Sequence, residues 1–172
     1  MVAAVRESTG GEVISMLLDN ADATDALGAA LARTRPPRGV VHLQGDLGAG
    51  KSTLARALLR TLGVTGAIRS PTYTLVERYP LFSGGEAWHL DLYRIGDGAE
   101  LEFLGLDSDE ATLWLVEWPE RGAGHLPPPD LRVELEVAGQ GRRATVTGLT
   151  ETGHGWLTRL RVVNPELVAA HS

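Results

Sequence analysis

Sixteen residues of the chain are basic, and only one of them, Lys51, is a lysine. It closes a glycine-rich run, Gly45-Asp46-Leu47-Gly48-Ala49-Gly50-Lys51-Ser52, with the spacing G-x-x-x-x-G-K-[ST]. Each residue type suits phosphate. The glycines let the backbone turn tightly so that several N–H groups converge on phosphate oxygens, and a helix starting here adds partial positive charge. The lysine reaches the β and γ phosphates, and the Ser52 hydroxyl, with Thr53 behind it, is placed to ligate Mg²⁺ bridging those phosphates. No N-K-x-D signature for reading guanine is present, so ATP/ADP with Mg²⁺ is the expected cofactor set.

Phosphoryl transfer to water also needs an acid at a strand end, to hold the metal or orient the nucleophile. Glu117 follows the apolar run Leu113-Trp114-Leu115-Val116, and Asp91 follows Trp88-His89-Leu90. Either acid alone reads equally well as a solvated strand terminus. Beside a phosphate loop both become catalytic candidates together with Lys51, Glu117 the stronger, and the residues alone do not say which acid touches Mg²⁺.

Ser70-Pro71-Thr72-Tyr73-Thr74 is hydroxyl-rich and lies where nucleotide switches carry a segment sensing the γ-phosphate, so Thr72 joins the nucleotide-binding candidates. Trp118 either stacks near the nucleotide or caps the core. Arg142, in the turn 140–143, reaches a phosphate or the base if that turn is more than a solvated hairpin tip. The five histidines lack metal-ligand spacing and receive no role; His42 reads as a core residue.

The elements that must position these groups are legible in the apolar periodicity. Residues 12–18 read as a strand, and Asn20 or Asp22 caps a helix through Ala23, Ala26, Leu27, Ala30 and Leu31 that Pro36 and Pro37 stop. Residues 39–43 are a short buried strand, and 51–62 a helix with Gly63 past its end. Residues 73–79 and 87–93 read as a hairpin through Ser83-Gly84-Gly85, Asp97 caps a short helix over 99–104, and 113–116 is a further strand. After the proline-rich loop 122–130 come two alternating strands, 131–137 and 143–149, expected as an antiparallel edge, with one more strand expected over 156–163. The expected fold is α/β: a single P-loop NTPase domain over 1–172 whose mixed sheet, with a parallel core and an antiparallel edge, is flanked by helices. Residues 1–10 read as a flexible extension and 164–172 as a frayed tail.

Composition fits that reading: 172 residues, 43% of them hydrophobic, fill one core. The absence of cysteine rules out disulfides and thiolate metal sites, and with no signal or membrane-spanning stretch a cytoplasmic location is expected. A net charge of −6 disfavours direct binding to nucleic acid.

Five motifs occur in the order found in the TsaE family, the ATPase component of bacterial tRNA threonylcarbamoyladenosine (t6A) synthesis, which the chain resembles over nearly its whole length. They are 45–52, then 70–77, then His89-Leu90-Asp91-Leu92-Tyr93-Arg94, then Glu100-Leu101-Glu102-Phe103, and Leu115-Val116-Glu117-Trp118-Pro119. The resemblance implies a small mixed-sheet P-loop domain with slow Mg-dependent ATPase activity. It implies work with threonylcarbamoyl-transfer proteins of TsaB and TsaD type on adenosine 37 of tRNA, which is met only through those partners. By that likeness Ser52 and Glu117 ligate Mg²⁺, while Asp91 and the Thr72 segment support hydrolysis and the switch. Ser52 stands where the family more commonly has threonine, and the N-terminus is longer by several residues. Two other readings remain open on the residues: a small-molecule kinase, although no arginine-rich lid is evident, and an interaction module whose shape nucleotide fixes without required hydrolysis.

Overall fold

The computed structural model describes residues 5–6, 12–106 and 109–166. Among these the chain forms one mixed sheet with three α-helices, and strand order decides where the site lies. The strands are β1 (Val5–Arg6), β2 (Glu12–Leu18), β3 (Gly39–Gln44), β4 (Val76–Pro80), β5 (Glu86–Asp91), β6 (Ala111–Glu117), β7 (Leu131–Ala138) and β8 (Gly141–Gly148). The helices are α1 (Ala21–Thr34), α2 (Lys51–Thr61) and α3 (Glu151–Val163). The order across the sheet is β1-β2-β8-β7-β3-β6-β5-β4. Strands β7, β3, β6 and β5 run parallel, and β4 on one side and β8 and β2 on the other are antiparallel to their neighbours.

Alternation along each strand sends one set of side chains to each face. Val41, Leu43, Leu113, Leu115, Leu131, Val133, Leu135, Ala144 and Val146 meet the apolar stripes of the three helices in the main core. A smaller cluster on the opposite face joins Trp88, Leu90 and Val116 to Leu92, Ile95 and Leu101. Helix α1 starts where Asn20 Oδ1 accepts from the Ala23 amide at 2.9 Å. A cap of this kind stabilises by about 1 kcal/mol.

Three expectations are corrected. Residues 156–163 are not a strand: they belong to α3, capped by the Thr150 hydroxyl on the Gly153 amide at 3.0 Å. Gly153, Trp156, Leu157 and Leu160 are its buried positions, a helical rather than an alternating spacing. The helix docks on the end of α1, where Trp156 Nε1 donates to the Leu31 carbonyl at 3.2 Å and Arg159 Nε to the Thr34 carbonyl at 2.8 Å. Those bonds satisfy carbonyls that the end of α1 leaves unpaired.

The β7–β8 hairpin is antiparallel as expected but is no edge, because β3 takes its outer flank on one side and β2 on the other. The strand expected over 73–79 begins only at Val76. Before it, the Leu75 amide bonds back to the Pro71 carbonyl at 2.8 Å, and Leu75 sits at φ 68°, which breaks the extended run. The short helix after Asp97 is of the tight 3₁₀ kind over Gly98–Leu104, closed by a capping box between Asp97 and Glu100. Of the expected N-terminal extension, the backbone of Val5–Arg6 pairs with β2. The rest of 1–10, and the tail beyond residue 166, lie outside the described residues. No helix among the described residues is long and apolar enough to cross a membrane.

Candidate functional site

The site forms where β3, β6 and β5 end together at their carboxyl edge. Register sets Leu43 beside Glu117 on β6, and Glu117 beside Asp91 on β5, so both acids emerge at one level next to the loop that leaves β3. Crevices at the carboxyl ends of parallel strands are where α/β sheets bind ligands. Gly45 begins the loop at φ 148°, and a Cβ there would stand 2.3 Å from the Leu135 carbonyl, so only glycine lets β3 turn out past β7. Gly50 ends it at φ 107° as the cap residue of α2, with no side chain bonding to the helix amides. The first amides of α2 are therefore left facing the loop.

Lys51 is buried, with 5% of its surface exposed, and its ammonium turns back into the loop. It donates to the Gly45 carbonyl and, at 3.0 Å, to the Asp46 carbonyl, and it stands 4.5 Å from the centre of the Trp118 ring. Burial lowers its pKa from the usual lysine value; the carboxylates of Glu117, Asp91, Glu120 and Asp46 act in the opposite direction. Trp118 takes the left-handed conformation, φ 57° and ψ 49°, which carries its ring back over Lys51 and within 4.9 Å of Tyr93.

The Ser52 hydroxyl lies 3.0 and 3.2 Å from the two Glu117 oxygens. Glu117 is 2% exposed, and its Oε2 also meets His89 Nε2 at 2.6 Å. Asp91, 6% exposed, is engaged otherwise: its Oδ2 accepts from the Thr72 hydroxyl at 3.2 Å and its Oδ1 from the Tyr93 amide at 3.0 Å. Thr72 in turn lies 2.8 Å from the Ser70 hydroxyl. The two acids thus divide the work: one is tied to the loop helix, the other to the hydroxyl-rich segment.

A cavity of about 230 Å³ joins these groups and is lined by Leu47, Gly48, Gly50, Lys51, Ser52, Thr53, Thr72, Asp91, Glu117 and Trp118. On the outer side of the loop a second cavity of about 190 Å³ runs between Asn20, Thr24, Thr53 and Arg142. Arg142 is no solvated tip. Its Nε donates to the Ala49 carbonyl at 3.1 Å and its Nη2 to the Gly48 carbonyl at 3.0 Å, so β8 holds the glycine loop directly. Ala49 itself is buried against the core, and its amide bonds back to the Asp46 carbonyl at 3.1 Å.

Of the residues singled out from the sequence, Leu47, Gly48, Gly50, Lys51, Ser52, Thr53, Thr72, Asp91, Glu117 and Trp118 line the first cavity and Arg142 the second, while Gly45, Asp46 and Ala49 line neither. Sequence reasoning gave no role to His89, yet its ring sits against Glu117. The available signal was position, since His89 stands two residues before Asp91 and so on the same face of β5.

Residues 18–145 match the family model described as threonylcarbamoyl adenosine biosynthesis protein TsaE. A protein named tRNA threonylcarbamoyladenosine biosynthesis protein TsaE from Haemophilus influenzae is 42% identical over 116 residues, covering 66% of this chain and 73% of its own. One of the same name from Streptomyces coelicolor is 39% identical over 140 residues, covering 77% and 93%. The crystal structure of YdiB from Bacillus subtilis superposes with a TM-score of 0.73 at 25% identity, over 95% of this chain and 98% of that one. A family match through both the glycine-rich loop and the Glu117 strand, with relatives this similar over most of their length, makes the chain a member of the TsaE family.

Proposed function

We propose that the protein is a Mg-dependent ATPase of tRNA t6A37 biosynthesis, acting with partner proteins of TsaB and TsaD type and meeting tRNA only through them. The observation that carries the reading is the convergence of Lys51, Ser52 and Glu117 at the joint end of β3 and β6. The first-turn amides of α2 and the Lys51 ammonium supply the charge that a polyphosphate needs. Arg142, Asn20 and Thr53 border the adjoining cavity, which leaves the nucleoside end on the outer side of the loop.

The donor set fits Mg²⁺. Ser52 and Glu117 offer one hydroxyl and one carboxylate side by side, and no cluster of three His, Cys, Asp or Glu side chains that could hold a metal occurs among the described residues. Mg²⁺ keeps several waters and takes phosphate oxygens, so two protein ligands suit it better than a closed cage. Bound there, it would neutralise charge on the transferring phosphoryl group. Asp91 orients Thr72, whose hydroxyl faces the same cavity and is placed to report the γ-phosphate to the segment 70–75.

The test is phosphate release with and without TsaB- and TsaD-type proteins, run beside rescue of t6A in cells lacking the gene. The reading expects slow release alone, stimulation by the partners, and loss of both stimulation and rescue in Glu117→Ala. Rescue by a Glu117→Ala protein with no measurable hydrolysis would replace it with a nucleotide-dependent interaction module.

A further inference from the structure

We infer that His89 is a positioning residue that fixes the carboxylate of Glu117 toward Ser52 and so sets metal affinity at this site. The inference rests on the proposed role of Glu117 as a metal ligand and goes beyond it by naming the group that aims the ligand.

The contact joins two side chains with almost no solvent access: His89 is fully buried and Glu117 is 2% exposed. Their atoms stand 2.6 Å apart, a charge-assisted distance. The atoms in contact are His89 Nε2 and Glu117 Oε2. The other ring nitrogen, Nδ1, is buried and has no hydrogen-bond partner. A hydrogen on Nδ1 would be an orphaned buried donor, whereas one on Nε2 meets Glu117 Oε2, so the geometry places the ring hydrogen on Nε2.

One Glu117 oxygen, Oε2, is thereby shared between His89 and Ser52, while Oε1 faces Ser52 at 3.0 Å. Among the described residues His89 is the β5 side chain bonded to the Glu117 carboxylate, so removing the imidazole leaves Ser52 as its remaining side-chain hydrogen-bond partner. Strand pairing makes the arrangement rigid, because His89 lies opposite Leu115 in the β5–β6 ladder and Glu117 lies two residues further along β6. Partners that orient a ligand in this way commonly change metal affinity about 10- to 100-fold when removed.

The experiment measures Mn²⁺ affinity of the protein–ADP complex by electron paramagnetic resonance, and ADP affinity without metal by calorimetry. His89→Leu should weaken Mn²⁺ binding about 10-fold or more while leaving metal-free ADP binding within about twofold. His89→Gln, whose side-chain amide offers an N–H in place of Nε2–H, should recover most of the loss. Folded His89→Leu protein with unchanged Mn²⁺ affinity, or with metal-free ADP binding weakened equally, overturns the inference. Should His89→Leu not fold, nitrogen-15 NMR of the wild-type ring decides: the Nε2–H tautomer supports the inference and the Nδ1–H tautomer ends it. Glu117→Gln runs alongside. If it leaves Mn²⁺ affinity unchanged, the metal role of Glu117 has failed; if it weakens Mn²⁺ binding while His89→Leu does not, the positioning role alone has failed.

Discussion

Ser52 Oγ and Glu117 Oε1 lie 3.0 Å apart although 65 positions separate them in the chain. The contact exists because β3 and β6 are neighbours in register, so a residue in the first turn of the loop helix meets the residue that ends the partner strand. Glu117→Gln keeps the shape and removes the charge. The expected outcome is a loss of at least 100-fold in partner-stimulated phosphate release, with the melting temperature little changed, read by phosphate release and calorimetry.

Lys51 carries a pKa lowered by burial, and the incoming phosphates favour its charged form. Linkage then has a definite sign. In the window between the lowered value in the free protein and the higher value in the complex, binding takes up protons and affinity falls as pH rises. Calorimetry of ADP binding in two buffers of different ionisation enthalpy should register that uptake, and Lys51→Met should abolish it.

Arg142 ties β8 to the carbonyls of Gly48 and Ala49. Arg142→Ala frees the loop from its outer side, where the nucleoside end is proposed to lie. ADP and ATP affinities should fall together, about 5- to 20-fold, which corresponds to about 1–2 kcal/mol for charged hydrogen bonds. A change confined to ATP would place Arg142 near the γ-phosphate instead.

His42, on β3, has its pKa pushed down to about 4, chiefly by burial and secondarily by Arg132, with the Pro127 carbonyl acting the other way. Its unfolded value near 6.5 is higher, so the unfolded chain binds more protons between the two. Stability contributed by keeping the ring neutral is complete above pH 6.5 and lost progressively toward pH 4. For a partly accessible ring the loss by pH 5 is about 1–2 kcal/mol. Urea unfolding at pH 7 and pH 5 should reveal that loss in the wild type and a smaller one in His42→Gln.

Asp130 joins three parts of the fold: Oδ2 accepts from the Val40 amide at 2.9 Å, Oδ1 from the Thr150 hydroxyl at 2.7 Å, and its carbonyl from the Leu149 amide at 2.9 Å. Thr150 also caps α3. Thr150→Ala should cost about 1–2 kcal/mol, a fall of roughly 3–6 °C in Tm, with ADP affinity unaltered because the cap lies outside both cavities.

Much of the candidate site was legible because the glycine-rich loop is a local device: eight adjacent residues carry the turn, the amides and the lysine, and flanking periodicity supplies strand and helix. The acids at 91 and 117 were legible for a similar reason, since an apolar run ending in a carboxylate marks the end of a buried strand. Local sequence could not distribute their roles. Only the pairing of β6 with β3, and of β5 beyond it, put Glu117 on Ser52 and Asp91 on Thr72.

The misread strand at 156–163 has the same origin. Trp156, Leu157 and Leu160 are too few to separate alternation from helical spacing, and what settles the matter is the carbonyl end of α1 waiting for Trp156 and Arg159. His89 was passed over because a histidine inside a strand carries no signature of its own; its meaning is a partner on the adjacent strand, two residues further along the ladder. The amino-acid order therefore determined the glycine-rich loop and most of the elements, whose causes lie within a few residues of one another. Tertiary structure alone decided which acid faces which hydroxyl, because hydrogen bonds act over about 3 Å and the chain must fold before such distances exist.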